Sequence, residues 1–307
     1  MANAAKTDFL RRMSHDIRTP LNGIRGMTKI AEENITDPAR VQNCLSKILS
    51  TSDFLLELVN NVLDMSKIES GKTTINVGEF YLLDLLEQMD TAFRPQTDAK
   101  HQTFEIVTQE LKHAWLWGDS MRLMQILNNL LSNAYKYTSQ GGAIRVEILE
   151  MEQSSSAYAK ICFKVIDNGI GMSREFVEEQ LFEPFTQEKS GARTRYKGTG
   201  LGMSIVKALI DRMNGSIQVE SELGKGTTFI FRLPFKISES RPESQGMSAD
   251  GKNVILEGRH VLLVEDNEIN MEIAEFYLNE AGAVIEKAWN GKEAVEIFEK
   301  SEPGSID

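Results

Sequence analysis

Four polar side chains on one face of an apolar stretch are the first sign of chemistry in this sequence. Over Met121 to Tyr137, Gln125, Asn129, Asn133 and Lys136 recur at i, i+4, i+8 and i+11. A helix puts them on one side and Leu123, Ile126, Leu127, Leu130, Leu131 and Ala134 on the other. Solvated helix faces usually carry Glu and Lys, and asparagine is a poor helix former, so two stacked asparagines suggest an oxygen-rich surface for a metal ion or a polyphosphate. A merely solvated face is the competing explanation. Asp167-Asn-Gly-Ile-Gly171 follows a β-rich run. A tight turn accounts for Asn-Gly by itself, but these glycines also let a ligand approach the backbone while Asp167 accepts a hydrogen bond from a buried amino group. Gly198-Thr-Gly-Leu-Gly202 leads into an apolar helix, so free amides and a helix N-terminus converge on one place suited to phosphate. The preceding Gln187 to Lys197 is polar and basic rather than a strand, which argues against a dinucleotide-binding unit and for a mobile lid. Arg193, Arg195 and Lys197 could neutralise a triphosphate when such a lid closes, although a solvated loop has the same composition. Gly224-Lys-Gly-Thr-Thr228 reads first as a hairpin and adds only supporting weight.

A second group of reactive residues lies near the start. On a helical wheel His15 falls about 150° from the centre of the Leu10, Ile17, Leu21, Ile24 stripe and shares its face with Thr19. Asp16 could hold an imidazole tautomer, Arg18 adds positive charge, and Pro20 loosens the helix beside it. An exposed imidazole with an orienting acid can act as a nucleophile.

The elements that must position these groups fall into three segments. The first seventy residues read as two long helices broken at Asn34 to Pro38, where Asp37-Pro38 supplies a cap and a first-turn proline. In the second helix Val41, Leu45, Ile48, Leu55, Val59 and Val62 form a seam flanked by Leu49, Leu56 and Leu63. Together with the first helix's Leu10, Ile17, Leu21, Ile24 and Thr28 this is more apolar surface than one hairpin encloses, so a homodimeric four-helix bundle is expected. From about Glu79 to Lys236 the pattern is α+β, with strands at Ile144 to Leu149, Ala159 to Ile166, Ser216 to Glu220 and Thr227 to Leu233, and helices at Met121 to Tyr137, capped by Asp119, and at Leu201 to Met213. Residues 237–258 read as a linker. His260 to Val264, Glu268 to Glu280, Ala283 to Ala288 and Lys292 to Lys300 then open a βαβα pattern, too short for a stable parallel domain.

Composition narrows the partners. The 307 residues allow two or three domains, and 34 Lys and Arg against 45 Asp and Glu give a charge of −11, a poor match to nucleic acid. Cys44 and Cys162 lie far apart, the four histidines do not cluster, and a reducing compartment fits. No long apolar run or signal-peptide core occurs, so the chain is expected to be soluble and cytoplasmic, with any membrane part in regions outside it.

Taken together, these motifs resemble a sensor histidine kinase of the two-component systems. Phe9-Leu-Arg-Arg-Met-Ser-His15-Asp-Ile-Arg-Thr-Pro20 is similar to the phosphoacceptor motif, Gln125 to Tyr137 to the asparagine box, Asp167 to Gly171, Gly198 to Gly202 and Gly224 to Gly226 to the glycine boxes, and Leu181 to Gln187 to the phenylalanine box. The resemblance implies a dimeric antiparallel bundle over 1–70, an α/β sandwich ATP-binding domain of the gyrase and Hsp90 type over 79–236, and a partial, doubly wound α/β receiver over 259–307. It also implies a hybrid parent kinase in which ATP phosphorylates His15 and the phosphoryl group passes to a receiver aspartate or a phosphotransfer protein. His15, Asp16, Thr19 and Gln125 would be catalytic, with Thr19 placing a water for dephosphorylation of the partner. ATP would meet Asn129, Asn133, Lys136, Tyr137, Asp167, Gly169, Gly171, Lys197, Gly198, Thr199, Gly200, Leu201, Gly202 and Thr228. Asn129 and Asn133 would hold Mg2+ with ATP, and Glu265 and Asp266 would be part of a receiver Mg2+ site. Two departures stand out: Lys197 takes the place of the first of two glycines, and no acceptor aspartate follows the receiver's second strand, since Asp307 matches only the entrance of the next. A scaffold that binds ATP without catalysis is the rival class; the presence of His15, Asp16 and both asparagines argues against it.

Overall fold

Asp37 and Pro38 divide the N-terminal helices as expected. In the computed structural model, which describes residues 2–71, 74–151, 157–188, 200–238, 256–302 and 304–306 (side chains of 2–12, 14, 15, 57 and 69 excepted), α1 (Ala2–Glu33) continues through Pro20 and α2 (Pro38–Glu69) starts on the Asp37 cap. The Asp37 carboxylate accepts the Arg40 N–H at 3.1 Å, satisfying one of the donors that a helix start leaves open.

Two apolar rows run side by side along α2. Val41, Cys44, Ile48, Leu55, Leu58, Val62 and Met65 are buried or half-buried, with Leu58 sealed completely, and form the inward row of a helix that packs on α1, Val62 and Met65 also packing against the core of the second domain. Leu45, Leu49, Leu56, Val59 and Leu63, by contrast, are 37% to 66% exposed in the single chain. The one seam expected from sequence is therefore corrected: Val41, Ile48, Leu55 and Val62 face inward, whereas Leu45 and Val59 belong with the exposed row. α1 shows the same division. Met13 and Pro20 are buried and Ile17 and Ile24 half-buried, while Leu21 is 47% exposed and Thr28 faces outward.

The second domain is a mixed seven-stranded sheet with helices on one face. Its strands are β1 (Gly78–Tyr81), β2 (Thr103–Gln109), β3 (Trp115–Gly118), β4 (Ala143–Met151), β5 (Tyr158–Asp167), β6 (Ser216–Glu222) and β7 (Gly226–Ile237). Their order is β1-β3-β7-β5-β4-β2 with β6 also on β7, and β2 and β4 are the parallel pair. The helices are α3 (Leu82–Ala99), α4 (Ser120–Tyr137), α5 (Arg174–Glu179) and α6 (Gly202–Arg212). Strand alternation sends Phe163, Val165, Phe231, Leu233 and Phe235 into one core with α4 and α6. The Phe163 and Phe231 rings stack at 4.7 Å. All six apolar positions assigned to the inner face of α4 are buried, each worth about 1.5–3 kcal/mol where a large side chain leaves water completely. The linker starts later than the sequence suggests, because Ile237 pairs with Leu116 as the last residue of β7.

The described residues from 256 onward form a separate compact unit. Within it β8 (His260–Val264), α7 (Glu268–Glu280), β9 (Val284–Ala288) and α8 (Gly291–Lys300) follow the expected order, and β8 and β9 pair in parallel. Asn267 caps α7 by accepting the Ile269 and Asn270 N–H groups at 3.0 and 3.3 Å. Phe276, Tyr277 and Phe298 remain exposed on this unit.

Candidate nucleotide site

Both ends of α4 are fixed. At its start Asp119, itself buried, accepts the Arg122 N–H at 3.0 Å and the Asn76 N–H at 2.8 Å. At its end Lys100 Nζ donates to the carbonyls of Tyr135 and Thr138 at 2.6 and 2.7 Å, a cation placed at the negative end of the helix. The half-buried side chains of Asn129 and Asn133 are thereby held against the start of α6. Asn133 Nδ2 lies 3.6 Å from Met203 Sδ, and a Cβ added to Gly202 would stand 2.8 Å from Asn129 Oδ1. Asn129 Nδ2 donates to the Gln125 carbonyl at 2.9 Å. The amide oxygens are the atoms of these two side chains that suit Mg2+.

Asp167 ends β5 beside this helix pair. Its Oδ1 accepts the Gly169 N–H at 2.9 Å, and Ile170 N donates to the Tyr137 carbonyl at 3.2 Å, which joins the glycine turn to the end of α4. Burial pushes the Asp167 carboxyl above its ordinary range, partly offset by N–H groups of Gly169 and Thr227. Gly171 has φ +62°, and a Cβ there would fall 1.9 Å from the Glu222 carbonyl oxygen, so only glycine fits. Further along, the Phe185 N–H bonds the Gly200 carbonyl at 2.9 Å.

The structure thus gathers Asn129, Asn133, Tyr137, Asp167, Gly169, Gly171, Gly200 and Gly202, with Lys136 Nζ 4.9 Å from the centre of the Tyr137 ring. Leu201 is fully buried, with its side chain in the core. Arg193, Arg195, Lys197, Gly198 and Thr199 lie outside the described residues, as does the His15 side chain. Asp16 is half-buried and Thr19 exposed on α1. In the C-terminal unit Glu265 and Asp266 follow β8; hydrogen bonds from Asn270 and the Asn267 N–H hold the Glu265 carboxyl below its usual range.

One assignment is corrected. Thr228 pairs with Ile166 and shares its sheet face with Arg145 and Glu220, so by strand register it points away from the Asp167 face. Thr227, opposite Asp167, is the residue on the correct face, and its hydroxyl lies 2.9 Å from that of Ser221. Gln125, expected among the catalytic residues, is held between the stalk and its own helix: its Nε2 donates to Asp64 of α2 at 2.7 Å and its Oε1 accepts from Arg122 at 2.7 Å. Strand register is the signal that identifies Thr227. Asp64 carries none, since 61 residues separate it from Gln125.

An asparagine-bearing helix and a glycine-lined helix start, facing each other over a mixed sheet, define a nucleotide-binding domain, here mounted on a helical stalk. Residues 118–237 match the family described as histidine kinase-, DNA gyrase B- and HSP90-like ATPase, and residues 5–71 match the His Kinase A (phospho-acceptor) domain. Together the matches span more than half of the chain, which belongs to the sensor histidine kinases. It is 36% identical over 297 residues to the autoinducer 2 sensor kinase/phosphatase LuxQ of Vibrio vulnificus, covering 95% of this chain and 34% of LuxQ. It is also 36% identical over 284 residues to the sensor histidine kinase GacS of Pseudomonas protegens, covering 92% and 30%. The chain therefore spans about a third of the length of the curated relatives it matches. Among solved structures, full-length ShkA in complex with AMPPNP aligns with TM-score 0.56 at 27% identity, over 97% of this chain and 58% of ShkA.

Proposed function

We propose that the chain is the catalytic core of a hybrid sensor histidine kinase, which takes ATP between α4 and α6, phosphorylates His15 as a homodimer, and passes the phosphoryl group to a receiver aspartate or a phosphotransfer protein. The observation that carries this reading is the pair of half-buried asparagines held on α4 beside the start of α6, in a chain that also bears the phosphoacceptor motif. Asp167 accepts from the adenine amino group, and amides at the start of α6 face the phosphates. Asn129 and Asn133 would hold Mg2+, which supplies charge neutralisation on the phosphate oxygens. The His15 ring nitrogen forms a bond to the γ-phosphorus as the bond to the β,γ-bridging oxygen breaks, and ADP leaves with that electron pair. Asp16 holds the imidazole N–H and so keeps the attacking lone pair free. In the onward step an aspartate oxygen replaces the histidine nitrogen on phosphorus.

The name of LuxQ includes phosphatase as well as kinase, and Thr19, exposed on α1, would orient a water for dephosphorylation of the partner. Residues 259–307 would belong to a receiver, with Glu265 and Asp266 in its Mg2+ site. Among the described residues no helix is long and apolar enough to cross a membrane, and the reading places the chain on the cytoplasmic side of a membrane-bound sensor.

Labelled ATP with Mg2+ tests the core claim. Acid-labile, alkali-stable label should appear and vanish in His15→Gln; nucleotide binding without label would leave only the scaffold. Asp167→Asn should weaken nucleotide binding by about ten- to a hundredfold, the value of a hydrogen bond to a charged acceptor. The pH dependence has a definite sign. The folded state favours protonated Asp167, so acidification relieves a cost to stability while it removes the acceptor. As the pH is lowered, affinity should thus begin to fall while the pH is still above the ordinary aspartate value of 3.8.

A further inference from the structure

The last turns of α2 carry both walls of the nucleotide site. Asp64 Oδ2 accepts from Gln125 Nε2 at 2.7 Å, Arg122 Nη1 lies 3.6 Å from Asp64 Oδ1, and the same nitrogen donates to Gln125 Oε1 at 2.7 Å. Each member of this triangle engages the other two. The Asp64 and Arg122 side chains are only 20% and 24% exposed, so solvent screens the pair weakly. One turn beyond Gln125 on α4 is Asn129. The opposite wall is tied as well: Arg212, at the end of α6, donates to the Ile68 carbonyl at 3.4 Å. Val62, Met65 and Ile68 pack against the core under both helices.

The tie lies close to the phosphoacceptor level. A Cβ on Gly23 would stand 3.8 Å from Thr51 Cγ2, which makes those residues level in the hairpin. Eight residues further along each helix, His15 is level with Val59, and Asp64 is then only about 7–8 Å further down the stalk at 1.5 Å per residue. A cleft of about 840 Å³ lined by Asn61, Asp64, Tyr81, Asp84, Gln125 and Asn129 borders the tie and leaves room for the stalk and α4 to shift against each other.

We infer that Asp64 is a positioning residue through which the arrangement of the stalk sets nucleotide affinity. It acts through Gln125 and Arg122 on the placement of α4 against α6, and the inference rests on the reading that nucleotide binds between those helices. Coupling is reciprocal, so nucleotide binding favours the stalk arrangement that closes the triangle. A signal that turns or shifts the end of α2 reaches the site without contacting the ligand.

The test is titration of the full chain with a fluorescent ATP analogue in Mg2+, comparing wild type, Asp64→Ala, Gln125→Ala and the double variant. Each single change should weaken binding roughly five- to twentyfold, within the usual range of coupling between sites. KM for ATP in the labelling assay should rise in parallel. The double variant should bind no worse than the weaker single one, because both changes open the same triangle. Binding within twofold of wild type in either single variant, or losses that multiply in the double, overturns the inference. If Asp64→Ala folds poorly, Arg122→Lys keeps a charge but replaces the guanidinium nitrogen that meets both Gln125 and Asp64; it should weaken binding threefold or more, and wild-type affinity there is equally fatal. A wild-type chain that binds no nucleotide would sink the kinase reading itself, an outcome distinct from these.

Discussion

Asn133→Ala should abolish phosphohistidine formation while leaving the dimer and the fold intact. The side chain is half-buried at the start of α6, where its Nδ2 lies 3.6 Å from Met203 Sδ. It contributes nothing to the exposed stalk row formed by Leu45, Leu49, Leu56, Val59 and Leu63. On the proposed reading the substitution removes one of two amide groups that would meet Mg2+ and the phosphates, in a site whose task would be positioning and charge neutralisation. Loss of one such group typically costs a factor of about 10² to 10³ in rate, so labelling should fall at least about a hundredfold. The sedimentation coefficient should match wild type and the melting temperature should move by no more than a few degrees. Monomerisation on this change would contradict its placement. Asn129→Ala should lose label to a similar extent, and the double variant should be little worse, since the two oxygens act on the same charges.

The asparagine helix was legible because several local signals agree. Asp119 at the cap, apolar positions every three or four residues and a polar opposite face all specify one helix in one orientation, and the observed Ser120–Tyr137 differs by a single residue at its start. The βαβα order of the C-terminal unit was legible for the same reason. Errors arose where one residue of offset reverses the outcome. Thr227 and Thr228 are adjacent in a strand, so they face opposite sides of the sheet, and the motif alone does not fix which one accompanies Asp167. On α2, two neighbouring apolar rows merged into one seam. Periodicity shows that Leu55 and Leu56 are both on the apolar side, but not which of them meets α1. α3, β1, β2 and β3 were not separately assigned: β1 and β3 are four residues each, and α3 contains Pro95. Pairing over long separations, as between Asp64 and Gln125, leaves no trace in local spacing at all.

Leu56→Asp should split the dimer without unfolding the chain. Leu56 is 62% exposed in the single chain, in the row Leu45, Leu49, Leu56, Val59 and Leu63 that follows coiled-coil spacing. An apolar stripe of this length on a stalk is the surface that a second copy covers in a four-helix bundle. In such a dimer a carboxylate placed there would be buried in an apolar seam once per protomer, leaving two unpaired charges at a cost of several kcal/mol. At about 1.4 kcal/mol per tenfold, the dimer dissociation constant should rise more than a hundredfold. Sedimentation across a concentration series measures it directly, and a variant that stays dimeric at low concentration would refute the assignment of this row. Leu58→Ala provides the contrast. Leu58 is fully buried in the row that meets α1, so its truncation should lower stability by about 2–5 kcal/mol through a cavity inside the hairpin. Loss of association in one variant and loss of stability in the other would separate the two rows that share α2.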